Sequence, residues 1–263
     1  MTKRIAVFPL LFAVLCFTSI ADERFPDRDI QWILDQYRVS EPVSLIPAEG
    51  LTGWTRTNAR EIASQSRWRV QEGKLMFENS ARTRDFQGGD IVTAREYTNF
   101  VLDFAWVGTR GINSGIKYRL RNFGSTGASH ASGWLGPEYQ ILDDFNRGEG
   151  TSGDGRWSAA SIYYVVAPVR EVKRLNPHNE VNTGRIVVLD NHIEHWLNGV
   201  KVLETEVGGD AWEQAIARSK FSRDEDRSCF GFGKNPTGFI LLQDHGGTIT
   251  FEHLVIREIG EKK

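Results

Sequence analysis

Apolar and polar positions along most of this chain fall into short runs that alternate with a period of two, the pattern of a strand with one buried face. Such runs occupy residues 68–70, 75–77, 90–93, 100–107, 115–120, 139–142, 161–166, 185–189, 192–197, 239–243 and 248–256. They are rich in β-branched and aromatic residues and end at Gly, Asn, Asp or Pro. Almost no helical period separates them, which predicts an all-β domain folded as a two-sheet antiparallel sandwich. The row Phe100, Leu102, Phe104 and Trp106 is predicted to face the core between the sheets. Asn198-Gly199 follows one strand run and precedes Val200-Lys201-Val202, so a tight hairpin is expected there, since both residues tolerate positive φ.

Two helical signals and two long loops break this pattern. In residues 29–38, Ile30, Ile33, Leu34 and Tyr37 recur at helical spacing with Asp29 as the cap, giving a short docking helix ahead of the domain. Residues 210–219 carry a second helical signal, and residues 143–160 and 167–184 read as long loops rich in Gly and charge. No internal repeat or low-complexity segment is seen.

At the start, Lys3 and Arg4 precede an apolar run, interrupted by Pro9, that ends in Ser19-Ile20-Ala21 before Asp22-Glu23. The run falls short of the roughly 20 residues that span a bilayer, so it reads as a signal peptide over residues 1–21 rather than a membrane span. Export to the periplasm or the medium is the expectation. Residues 22–44 then form a helical extension and 45–263 the sandwich domain. The formal charge is -2, more acidic once Lys3 and Arg4 are removed, which offers nothing for nucleic acid. Of the two cysteines only Cys229 lies beyond the leader, so no internal disulfide is expected and the core must carry stability. Nucleophile-elbow, phosphate-loop, dinucleotide and zinc signatures are all missing from the sequence.

Candidate chemistry concentrates in Pro137-Glu138-Tyr139-Gln140-Ile141-Leu142-Asp143-Asp144. On a strand, Glu138 and Gln140 share one face, a carboxylate beside an amide, which suits sugar hydroxyls as well as it suits an ordinary wet sheet face. Asp143 and Asp144 lie at the strand end, as cation ligands or as the start of a loop. Lys117 and Arg119 are expected on one face of their strand, with Arg119 free to fork onto a carboxylate or a surface partner. His192 and His195 fall on opposite strand faces and make no metal pair; His195 is favoured as a satisfied, half-buried ring. His245 lies in a Gly-rich turn next to Asp244, where a carboxylate could make it a usable acid or base. No cofactor is evident, and the sequence leaves a divalent cation open.

The sequence resembles the 3-keto-disaccharide hydrolase domain family from about residue 51 to 259. The resemblance rests on Leu51-Thr52-Gly53-Trp54, the segment from Trp68 to Leu75, Asn113-Ser114-Gly115-Ile116 leading to Arg119, and Glu138 to Asp143. It continues through Ile162-Tyr163 with Ala167-Pro168, His195-Trp196-Leu197-Asn198-Gly199 and Ile240 to Gly246. One departure is Val181, where the family usually has Trp within a Gly-Glu-Trp-Asn-like segment. The resemblance implies a concanavalin A-like jelly-roll and cleavage of glycosides whose sugar carries a ketone at C3. That chemistry needs a base and groups to orient the sugar, and the expected assignment is Glu138 or His245 as base, with Arg119 and Gln140 orienting the sugar. Asp143, Tyr163, His195 and Gln243 would stand around the pocket. The partner would be an oligosaccharide or glycoside. A noncatalytic, lectin-like module is the competing reading on the same fold.

Overall fold

A computed structural model describes residues 22–56, 66–78, 89–122, 134–147, 155–222 and 232–263. A 3-10 turn, Asp27–Ile30, leads into α1 (Gln31–Gln36), then β1 (Tyr37–Val39), β2 (Val43–Ser44) and β3 (Trp54–Arg56). Next come β4 (Trp68–Gln71), β5 (Lys74–Phe77), β6 (Ile91–Thr93), β7 (Phe100–Gly108), β8 (Asn113–Asn122), β9 (Trp134–Leu135) and β10 (Glu138–Leu142). The remainder comprises α2 (Asp144–Arg147), β11 (Val181–Leu189), β12 (His192–Leu197), β13 (Val200–Glu206), α3 (Asp210–Ala217), β14 (Phe239–Leu242) and β15 (Ile249–Lys262).

Among the described residues the strands form two antiparallel sheets. The larger runs β13-β12-β11-β7-β15-β5-β4, with β1 and β2 also paired to β15. The smaller runs β10-β8-β14-β6-β3, with β9 added to β8. Phe100, Leu102, Phe104 and Trp106 do enter the core between them, facing Ile116, Tyr118, Tyr139 and Ile141 of the smaller sheet. Gly184 of β11 is needed there, because a Cβ would overlap the Phe104 ring. The hairpin between β12 and β13 turns at Asn198 and Gly199, with φ of 49° and 77°.

The opposite face of the larger sheet is also buried at its centre. Ile30 and Ile33 pack there on Val101, Val187, Leu189 and Ile259, each contributing about 1.5–3 kcal/mol relative to exposure. Beside them Asp103 takes Arg185 Nε at 2.5 Å and Arg257 Nη2 at 3.3 Å, and Arg257 reaches Asp27 at 2.6 Å. Three acids and two arginines therefore tie the extension to the sheet, since Arg185 also lies 3.7 Å from Asp29. The helix is shorter than its apolar spacing suggests: Tyr37 leaves it for β1, and Asp29 caps nothing because its carboxylate is turned to Arg185.

Two further expectations are corrected. Residues 161–166 form no strand; Ala160 and Tyr164 have φ of 65° and 66°, so the chain turns, leaving only isolated bridges at Ile162. In β8 the alternation breaks at Arg119, whose φ of 49° accompanies a register shift against β14. The helical signal at 210–219 is α3, whose Trp212 and Ile216 are buried. The leader, Cys229 and His130 lie outside the described residues.

Candidate active site

The outer face of the smaller sheet carries the polar residues. Tyr139 and Ile141 point into the core, so Glu138 and Gln140 must face the other way. The register sets Glu138 opposite Lys117 and Gln140 opposite Gly115. On the other side of β8, Leu241 pairs with Lys117, and Gln243 N–H donates to Gly115 O at 3.0 Å. One row across the sheet therefore reads Glu138, Lys117, Leu241, Val92, and the next Gln140, Gly115, Gln243, Asp90. Gly115 is what lets Glu138 lie over the sheet: a Cβ at 115 would occupy the place of Glu138 Oε1.

Glu138 is buried, and its Oε1 has no hydrogen-bond partner among the described residues. Burial raises its pKa above the usual carboxylate range; the positive charges of Lys117 and Lys220 pull it down, and Asp90 pushes it up. Asp90 is raised too, first by burial, although Lys117 and the Asp244 N–H bonded to its Oδ1 at 2.9 Å oppose this. Gln140 Nε2 donates to Asn113 Oδ1 at 2.9 Å, and Gln243 Oε1 is buried without a partner among the described residues.

The loop after β14 is pinned to this face. Asp244 accepts from Arg67 Nη2 at 3.0 Å and from the Gly89 N–H, while Gly246 and Asn113 exchange both backbone hydrogen bonds. This leaves His245 exposed at the rim, where its charge bears on Asp90. Tyr163 closes another side: its N–H donates to Glu138 O at 3.0 Å, and its ring lies 4.3 Å from Lys220 Nζ.

Glu138, Gln140, Gln243 and Tyr163 thus come together, with His245 at the edge. Arg119 does not join them. The bulge turns it away from Lys117, and its buried guanidinium donates to the carbonyls of Asp190 and Gly233. Nor does His195, which lies fully buried between the sheets; its Nδ1 donates to Ala160 O at 2.9 Å and its Nε2 accepts from Tyr118 OH at 2.8 Å. Burial holds its pKa down at about 3 despite the Ala160 carbonyl, so the ring is neutral. Asp143 stands beyond the end of β10. Burial works against its charge, but the Gly111 N–H at 2.7 Å and the Asn146 side chain outweigh that and keep the carboxyl low. Asp144 accepts from Lys173 Nζ at 2.6 Å and from the Ala159 N–H, so it organises the following loop. Val181, in the place of the family's usual Trp, is exposed at the start of β11.

Asp90 and Lys220 are the residues that the sequence reading missed. Asp90 follows the same alternation as Val92, so its face was readable; Lys220 comes from a 3-10 turn after α3 with no periodic signal. Among the described residues, His192, Glu194 and Glu204 have metal-ligand proximity, on the outer face of the larger sheet. Lys201 already pairs with Glu194 at 3.1 Å and Glu204 at 2.6 Å, and Trp196 Nε1 donates to Glu194.

A concanavalin A-like jelly-roll with a buried carboxylate and convergent amides on one polar sheet face defines a glycoside hydrolase-like, carbohydrate-active enzyme. The chain belongs to the 3-keto-alpha-glucoside-1,2-lyase-like domain family, whose model matches residues 41–257. It is 28% identical over 228 residues to a 3-keto-disaccharide hydrolase of Bacteroides thetaiotaomicron, covering 82% of this chain and 77% of that protein. A solved Parabacteroides distasonis structure designated a glycosyl hydrolase superposes with a TM-score of 0.64 at 28% identity, covering 82% of this chain and 92% of that one. A second from the same species, at 23% identity and a TM-score of 0.55, covers 83% and 99% and shares the fold.

Proposed function

We propose that this protein is exported and cleaves the glycosidic bond of glycosides oxidised to a ketone at C3, with Glu138 as the base. One observation carries the reading: a desolvated carboxylate with an unpartnered oxygen, on a polar sheet face in a domain of this family. A C3 ketone acidifies the C2 proton. Glu138 takes that proton, and the C2–H electrons form an enolate whose negative charge rests on the C3 oxygen. The enolate collapses to the ketone, C1=C2 forms, and the C1–O bond breaks. The departing oxygen takes a proton back from Glu138, and water then adds across C1=C2, hydroxyl to C1 and proton to C2. The sum is hydrolysis. Gln140 and Gln243 are suited to holding the sugar hydroxyls, with Tyr163 as a wall and His245 at the mouth.

Ordinary acid-base hydrolysis asks for a second carboxylate about 5–9.5 Å away across the scissile bond. Among the described residues, the other carboxylate whose charge acts on Glu138 belongs to Asp90, just ahead of β6, the third strand from β10 in the smaller sheet. The test is incubation with a 3-keto-glucoside and, separately, its unoxidised parent, followed by product analysis. Product from the keto sugar alone is expected. Cleavage of the parent would overturn the keto route, and binding of either sugar without turnover would favour a lectin.

A further inference from the structure

On the proposed reading of the site, the charge that needs stabilising is the enolate's, and the charges of two ammonium groups act on Glu138, one of them, Lys117, on Asp90 as well. Lys117 faces it across the β8–β10 ladder. Lys220 reaches it from the turn Lys220–Ser222. Neither lysine makes a hydrogen bond or an ion pair among the described residues, not even with Glu138.

What holds Lys220 instead is aromatic. Its Nζ lies 4.3 Å from the centre of the Tyr163 ring, 4.6 Å from that of Tyr164 and 5.3 Å from that of Phe221. Ring faces attract a cation without consuming its N–H groups. The ammonium is thereby kept in place and partly out of water while its donors stay available to a ligand oxygen. Tyr163 also donates its N–H to Glu138 O, so the base and the ammonium are positioned by one residue.

The sign of the charge selects the chemistry. Direct glycoside hydrolysis passes through an oxocarbenium-like cation, which two nearby ammonium groups would oppose. Proton removal next to a ketone builds an anion on oxygen, which they would favour.

From this arrangement we infer that Lys220 is a catalytic residue that binds the C3 oxygen of the keto sugar and stabilises its enolate, with Lys117 supporting the same charge. The inference rests on the Glu138 and C3-ketone reading above. No proton leaves Lys220: the C2 proton goes to Glu138, the electron pair to the C3 oxygen, and the ammonium contributes hydrogen bonds and charge. Burial and the neighbouring Lys117 lower the pKa of Lys220 against the pull of Glu138, so at high pH the ammonium should be lost before an ordinary lysine's would be.

The test uses the full chain, K220M and K220R, with a 3-keto-glucoside in D2O, following C2 deuteration and product by NMR across pH. K220M is expected to lose at least about tenfold in both C2 deuteration and kcat, with KM within about threefold. K220R keeps the charge, so it should recover much of the loss and move the alkaline fall in rate to higher pH. Deuteration by K220M within threefold of wild type, or a loss confined to KM, overturns the role of Lys220. So does a K220R profile with the wild-type alkaline limb. Failure of the wild-type protein itself to deuterate C2 would instead sink the Glu138 reading, and this inference with it.

Discussion

Glu138 and His195 shift in opposite directions through the same physical term, because burial disfavours the charged form of each. For His195 the consequence is a neutral ring bonded at both nitrogens, a strut of the core. For Glu138 it is a carboxyl that binds its proton more tightly in the folded chain than in the unfolded one. Such a group adds stability in acid that is lost as pH rises through its raised value. Glu138→Gln keeps the shape and removes the charge. It should melt about 2–4 °C above wild type at pH 8 and level with it near pH 4 in a calorimetric comparison. Its kcat on the 3-keto sugar should fall by about a hundredfold or more. As the ionised base, Glu138 also predicts a wild-type rate that rises through a pH above the usual carboxylate range.

At the scale of the element, strand alternation was a good guide wherever the backbone stayed regular. It correctly divided β10 into core and outer faces and filled the core from β7. It failed at Arg119 because a bulge reverses the alternation, and Tyr118-Arg119-Leu120 contains no glycine to announce positive φ there. It failed again over residues 161–166, where an apolar run resembles a strand but Ala160 and Tyr164 turn the chain. The same limit hid part of the site. Lys220 belongs to a short turn whose place beside Tyr163 depends on tertiary packing, whereas Glu138 and Gln140 were visible from spacing alone. Arg119 supplies the test at this scale. Arg119→Met removes the donors to the Asp190 and Gly233 carbonyls and should cost about 1–3 kcal/mol in a urea melt. Kinetic constants per folded molecule should stay within about twofold, because the guanidinium does not reach the sugar face.

For the molecule as a whole, the two-sheet sandwich was legible because it needs only many short strands and turn signals. The extension was legible as a helix but not as strands, since β1 and β2 have the burial patterns of edge segments and acquire their pairing only from β15. Within it Asp22 holds Arg24 at 2.7 Å and lies 3.4 Å from His253. The signal-peptide reading of residues 1–21 predicts that the leader is removed after Ala21. Intact-mass measurement of protein recovered from the periplasm or medium should then give a chain beginning at Asp22; an unprocessed mass would count against export by this route.

β15 has a consequence for how the molecule is made. This one segment, Ile249–Lys262, is the partner of β1, β2, β5 and β7. Pairings of such long sequence separation form slowly and late. A ribosome that has yet to deliver residue 249 therefore holds a chain whose larger sheet is missing the strand between β7 and β5. The larger sheet of the nascent protein stays open until this segment has been made, and until then its unpaired strand edges are exposed to association with other chains.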